Sequence, residues 1–197
     1  MRSLAIAATL ALLPVATAAA AAPVTIRVVG VDGRPLAGAV VMVTVPGTPP
    51  PPVRGPYTVG QRDIQFTPQL AIVPVGATVS FPNFDKVRHH VYSFSKAKKF
   101  ELKLFGREES RSVTFDKPGA VALGCNIHDA MNGVIYVTAS PYTAVTDADG
   151  RVRMNIGQSS AATVSVWHPS IRAADHMLSQ RVAISPAGLS TTMQLRR

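Results

Sequence analysis

The chain has 197 residues, a formal charge of +9, 47% hydrophobic residues and one cysteine. A single cysteine excludes a disulfide within the chain, and the positive excess favours acidic partners or anionic surfaces without naming one. Nucleic acid is excluded as the expected partner, because the basic residues are not interleaved with aromatics in a binding pattern and the chain opens as an exported one.

Residues 1–22 read MRSLAIAATLALLPVATAAAAA, with Arg2 as the one charge, an apolar core from Leu4 to Val15 and an alanine-rich end. This is the pattern of a secretory signal peptide, cut near Ala21 or Ala22. A membrane anchor competes poorly: the strongly apolar run falls short of the roughly 20 residues that span a bilayer, and Pro14 interrupts it. The mature chain is therefore expected to lack a membrane span and to reside in the periplasm. In an exported protein a lone thiol is open to oxidation unless buried or metal-bound, which makes Cys125 the most informative residue.

Val24 to Val29 alternates in polarity, GVDGRPLAG supplies a turn at Asp32-Gly33, and Ala39 to Val45 is a second apolar run, so two strands are expected. Pro46 to Pro56 holds six prolines and two glycines. It cannot supply regular ladder donors and reads as a stiff connector, placed at 49–60. Short β-like pieces follow at Gln69–Val73, Thr78–Phe81, HHVYSFS, Lys99–Leu104, Arg111–Phe115, Val121–Gly124 and Val134–Thr138. No amphipathic helix competes, and the spacing calls for an all-β, Greek-key sandwich. A further β series covers Thr143–Thr146, Val152–Asn155, Ala162–Trp167, Val182–Ser185 and Thr191–Leu195, with a loop or a helical turn between Ile171 and Gln180.

The chemistry concentrates in GCNIHDAMNG. Two residues separate Cys125 from His128 and two more separate His128 from Met131, so one compact loop can aim three side chains at one centre. Thiolate and thioether are soft ligands and imidazole is intermediate. With a second imidazole they make the two-histidine, one-cysteine plane with a weak axial thioether that suits an electron-transfer copper ion. Structural zinc more often recruits further cysteines or a carboxylate. The second imidazole comes from His89 or His90; neighbouring side chains on a strand face opposite ways, so one of the two reaches the ion, and period alone does not choose. His168 reads as a turn residue, and His176 has no ligand spacing.

These motifs resemble the cupredoxin family of small blue copper proteins over about Gln65 to Ala139. The family's loop asparagine, its His-x-Val strand and its Pro-Gly turn before the cysteine strand have counterparts in Asn83, His89-His90-Val91 and Lys117-Pro118-Gly119. The Cys-x2-His-x2-Met loop is similar to that of amicyanin-like members, whose spacing from the asparagine favours His89. The resemblance implies His89, Cys125, His128 and Met131 as the copper ligands, and backbone near Asn83 hydrogen-bonded to the Cys125 sulfur. It implies no enzyme but an exported carrier of single electrons between a protein donor and acceptor, acidic partners being favoured. A copper-binding or trafficking protein on the same scaffold is the alternative. Ile127, Ala130 and Val134 are the expected contact patch, with the basic cluster of Lys86, Arg88, Lys96, Lys98, Lys99 and Lys103 steering a partner to it, and Lys96, Lys98 and Lys99 as its test.

The outer segments resemble a carboxypeptidase-regulatory-like or transthyretin-like β-sandwich, in VTIRVVGVDGRPLAGAVVMVTV, TAVTDADGRVRMNI and VSVWHP. The expected division is 1–22 signal peptide, 23–48 with 140–197 as a small β-sandwich split around an insertion, 49–60 connector, and 61–139 as the cupredoxin-like copper domain.

Overall fold

The computed structural model describes residues 21–157 and 160–196. The expected signal segment lies outside the described residues except for Ala21 and Ala22, and Ala22 already begins the first strand with its side chain buried.

The chain is all-β. In order, the strands are β1 (Ala22–Val29), β2 (Val40–Thr44), β3 (Tyr57–Thr58), β4 (Gly60–Arg62), β5 (Gln65–Thr67), β6 (Leu70–Pro74), β7 (Ala77–Pro82), β8 (His89–Phe94) and β9 (Lys99–Phe105). There follow β10 (Ser110–Phe115), β11 (Gly119–Gly124), β12 (Asn132–Thr138), β13 (Tyr142–Val145), β14 (Arg151–Ile156), β15 (Ser160–Trp167), β16 (Met177–Ile184) and β17 (Leu189–Gln194). The only helical element among the described residues is a 3-10 turn at Ala174–His176, which falls in the stretch left open between loop and helical turn.

The middle of the chain forms a Greek-key sandwich. A five-stranded sheet, β6-β12-β11-β8-β9, faces a three-stranded sheet, β10-β7-β3. Between them lies an apolar core to which alternate residues contribute: Val79 and Phe81 from β7, Val121 and Leu123 from β11, Ile135 and Val137 from β12, with Phe105 and Phe115 filling the ends. The first and last parts of the chain form a second sandwich. Sheet β14-β1-β17 faces sheet β13-β2-β15-β16 across a core of Val24, Ile26, Val28, Val41, Val43, Val164, Val166 and Met193, among others. The all-β architecture expected is thus observed, a Greek-key sandwich with additional strands from the first and last parts of the chain packed around a core of their own.

The two sandwiches are stacked through the outer faces of their inner sheets. Strand alternation sends Val41 and Val43 into one core while Val40 and Met42 point the other way; on β12, Ile135 and Val137 turn inward while Val134 and Tyr136 turn out. Val40, Tyr136 and Trp167 form a third buried cluster with Leu70, Ile72 and Ala120 around them. The Tyr136 and Trp167 rings lie 5.5 Å apart, tilted by 51°, and burial pushes the Tyr136 phenol up to about 12. Val134 packs, partly buried, against this cluster on the face of β12 turned away from the ligand core, apart from Ile127 and Ala130 of the expected contact patch.

Regular pairing begins soon after the proline-rich stretch, where Tyr57–Thr58 runs parallel to β7.

Candidate metal centre

β8 begins at His89, and its alternation turns His89, Val91 and Ser93 inward while Tyr92 and Phe94 face outward. A bulge interrupts the β8–β9 register at this point, so that His89 pairs with Phe105 but Val91 with Leu102. An extra residue on one strand re-aims the side chains beside it, and here His89 and His90 are both buried. Cys125 follows β11 directly and continues its inward series after Val121 and Leu123, with 4% exposure. The chain then turns through His128, closed by the Met131 amide donating to the His128 carbonyl at 2.9 Å, and re-enters the sheet as β12.

This arrangement brings one ligand atom each from His89, Cys125 and His128 within 4.8 Å of one another. The Cys125 Sγ and His128 Nδ1 are 3.8 Å apart, and the two imidazole rings have centroids 5.0 Å apart at 60°. Ligand bonds of about 2.0–2.3 Å around one ion impose a similar spacing. Met131, 1% exposed, packs in the same apolar cluster as Cys125. His90 stays out of the triad: its Nε2 faces the Glu101 Oε1 at 2.9 Å.

The donor set passes a test for fit. The His89 ring is fully buried, yet its Nδ1 has no hydrogen-bond partner, and a buried polar atom left unpaired costs on the order of 1–3 kcal/mol. An ion ligated by that nitrogen removes the cost. Mixed thiolate and imidazole donors match copper.

The loop ahead of β8 is built on Asn83, which is fully buried. Its side-chain oxygen accepts from the Asp85 amide at 2.8 Å, and its Nδ2 donates to the carbonyls of Val87 and Phe105 at 2.9 and 3.1 Å. The expected backbone bond from this region to the Cys125 sulfur is not made by the amides of Asn83, Phe84 or Asp85. Asn83 N–H goes to Glu109, Phe84 N–H to Gln61 and Asp85 N–H to Asn83 itself, so these donors are committed to shaping the loop.

Sequence reasoning passed over Asp85. Its Oδ2 lies 2.7 Å from His89 Nε2 and 3.0 Å from the Ile64 amide, and its Oδ1 lies 2.7 Å from the Asp63 amide. Burial presses this carboxyl upward, but the hydrogen bonds from Ile64, His89 and Asp63, with the attraction of a charged His89 ring, together hold it below its ordinary value. The only signal in the sequence is its place four residues before His89, and in a loop that spacing does not put two side chains together.

Around the site, Ile127 is half exposed and Ala130 is exposed, both in the loop that carries His128. Lys96, Lys98 and Lys99 lie at or beside the β8–β9 turn, five residues or more along from His89, which is about 17 Å of strand. Lys98 pairs with Asp116 at 3.0 Å, and Lys96 with Asp175 at 3.6 Å. Of the same cluster, Lys86 and Arg88 are exposed at the His89 end of the sheet, joined there by the exposed Arg107. His168 and His176 are remote from the triad and engage Ser170 and the Ile171 carbonyl.

No protein-family model matches the chain, and no curated protein matches it. Among solved structures, the chain is similar to a novel purple cupredoxin from Nitrosopumilus maritimus, with 20% identity over 42% of this chain and 100% of that one, and a TM-score of 0.39. It is also similar to two singly substituted amicyanins in the reduced state, with 22% and 24% identity, each over 49% of this chain and 99% of the other, and TM-scores of 0.41 and 0.39. Likenesses of this size leave the chemistry of the site to its own geometry: an all-β fold whose middle is a Greek-key sandwich, with a His/Cys/His triad able to hold a metal ion.

Proposed function

We propose that this chain is an exported copper protein that carries single electrons between redox partners. The observation that carries the reading is the convergence of one ligand atom each from His89, Cys125 and His128 within 4.8 Å, in a site where the buried His89 ring keeps an unpartnered Nδ1. His89, Cys125 and His128 would hold the ion, with Met131 as the weak fourth ligand. Copper bound there supplies a one-electron couple between its +1 and +2 states.

The residues themselves favour transfer over delivery. Cys125, His89 and Met131 are all within 4% of full burial, so an acceptor chaperone could not reach the ligands in turn, as trafficking requires. His89 stands on a sandwich strand and Cys125 directly follows another, which keeps the ligand set from rearranging when the charge changes. His128 alone is partly exposed, with Ile127 and Ala130 beside it as an apolar contact. Lys86, Arg88 and Arg107 would attract an acidic partner to this end, an effect that salt weakens.

The separate cores support reading 23–48 with 140–197 as one split domain and 61–139 as the copper domain, with the end of the 49–60 connector, β3, already paired to β7 of the copper domain. Among the described residues, no helix is long and apolar enough to cross a membrane. We place the mature protein in the periplasm on the character of residues 1–22.

Voltammetry of the copper-loaded protein tests the role. A reversible one-electron wave, with copper retained through repeated cycles in the presence of a Cu(I) chelator, is expected. Loss of the ion on reduction would favour trafficking.

A further inference from the structure

We propose that Asp85 is the positioning residue of the site, fixing the tautomer and rotation of His89 and tying that ring to the β4–β5 turn. The proposal rests on the reading of His89 as a metal ligand and deepens it.

The case begins with hydrogen-bond inventory. An ionised carboxylate only accepts, so the 2.7 Å contact between Asp85 Oδ2 and His89 Nε2 requires the proton to sit on Nε2. In a neutral ring the lone pair then lies on Nδ1, the atom that is buried without a partner. Asp85 thus determines which nitrogen of His89 is free to bind an ion. Ligand histidines are generally oriented in this way by a group on the other ring nitrogen.

The carboxylate is itself held. Its side chain is 13% exposed, and it accepts from two successive amides, Asp63 and Ile64, which form the turn between β4 and β5. Both residues have positive φ, 53° and 58°, and a β-branched residue is a genuine outlier there. Three paired positions make up the whole β4–β5 ladder, which is too little to hold such a turn. The two bonds to Asp85 supply the remainder. From the same hairpin, Phe66 is buried against Gly133, where an added Cβ would meet the Phe66 Cβ at 3.2 Å. The hairpin therefore braces the centre from both sides: through Asp85 to His89, and through Phe66 to the strand that follows Met131.

Two measurements test this on the full mature chain. Long-range 1H–15N NMR of the metal-free protein should show His89 protonated at Nε2 and bare at Nδ1. In Asp85→Ala that preference should be lost, and competitive titration with Cu(I) should show affinity reduced roughly 10- to 100-fold. Asp85→Asn keeps one oxygen for His89 but turns an amide toward Asp63. It should retain the tautomer while the Asp63 amide loses its hydrogen-exchange protection. Ile64→Gly keeps the donor and removes the strain, and should leave the tautomer as in the parent. A parent His89 protonated at Nδ1, or a folded Asp85→Ala with parental tautomer and Cu(I) affinity, overturns the proposal. Should Asp85→Ala not fold, the parent tautomer and the Asp85→Asn result decide it. If instead the parent gives the predicted tautomer but no thiolate-to-copper absorption, the copper reading fails and the positioning role of Asp85 stands.

Discussion

His89 and His90 are both buried, both bonded through Nε2 to a carboxylate, and both left with a bare Nδ1. What separates them is the face of β8 each occupies. His89→Ala should abolish the strong visible band of the copper-loaded protein, whereas His90→Ala should keep it, as absorption spectra of the two variants would show. Asn83 offers a sharper case. Its Nδ2 satisfies two carbonyls and its oxygen one amide, so Asn83→Ala strands three polar groups and should cost about 2–4 kcal/mol in urea unfolding of the metal-free protein. Asn83→Asp keeps the acceptor but faces two carbonyls with an anion, and should be no more stable than the alanine variant. The importance of Asn83 was legible as a motif, yet its role was not. A spacing pattern cannot say whether an asparagine serves a sulfur atom or the carbonyls of its own loop.

At the scale of elements, the strands that alternate in polarity and bury one face were readable, because a period of two leaves its mark when apolar residues occupy every second position. β3, β4 and β5 are two or three residues long, too short for any period, and they went unseen although β4 and β5 carry the turn that Asp85 grips. β16 was read only from Val182 onward. Its first five residues, MLSQR, lie on a sheet edge where the pattern is half exposed and largely polar. Turn chemistry was more reliable: the turn expected at Asp32-Gly33 is present, with Gly33 at φ +78°. Gly150 adopts φ +69°, and a Cβ there would collide with the Val28 carbonyl and the Leu36 amide. Gly150→Ala combines a left-handed backbone with a clash against backbone atoms, and should lower stability by about 2 kcal/mol or more, measurable as a fall in melting temperature.

For the whole molecule, the stacking of two sandwiches was not readable. Val40, Tyr136 and Trp167 look like ordinary strand residues, and only the pairing of sheets reveals that their outward faces meet. Trp167→Ala removes the largest piece of that junction and should cost about 3–5 kcal/mol. Because Trp167 lies on the face of the five-stranded sheet away from the ligand core, the copper spectrum should be unchanged while unfolding separates into two transitions. Charge acts at this scale too. At low salt, replacing Lys86 and Arg107 with glutamine should slow reduction by an acidic redox protein several-fold, and replacing Lys96, Lys98 and Lys99 should do less.

The account stands most directly on Cys125. Cu(II) added to the metal-free mature protein should bind one ion per chain and give an intense visible thiolate charge-transfer band with a narrow parallel hyperfine splitting in the EPR spectrum, both lost in Cys125→Ser. A weak oxygen- and nitrogen-ligated signal, the same in parent and Cys125→Ser, would contradict it.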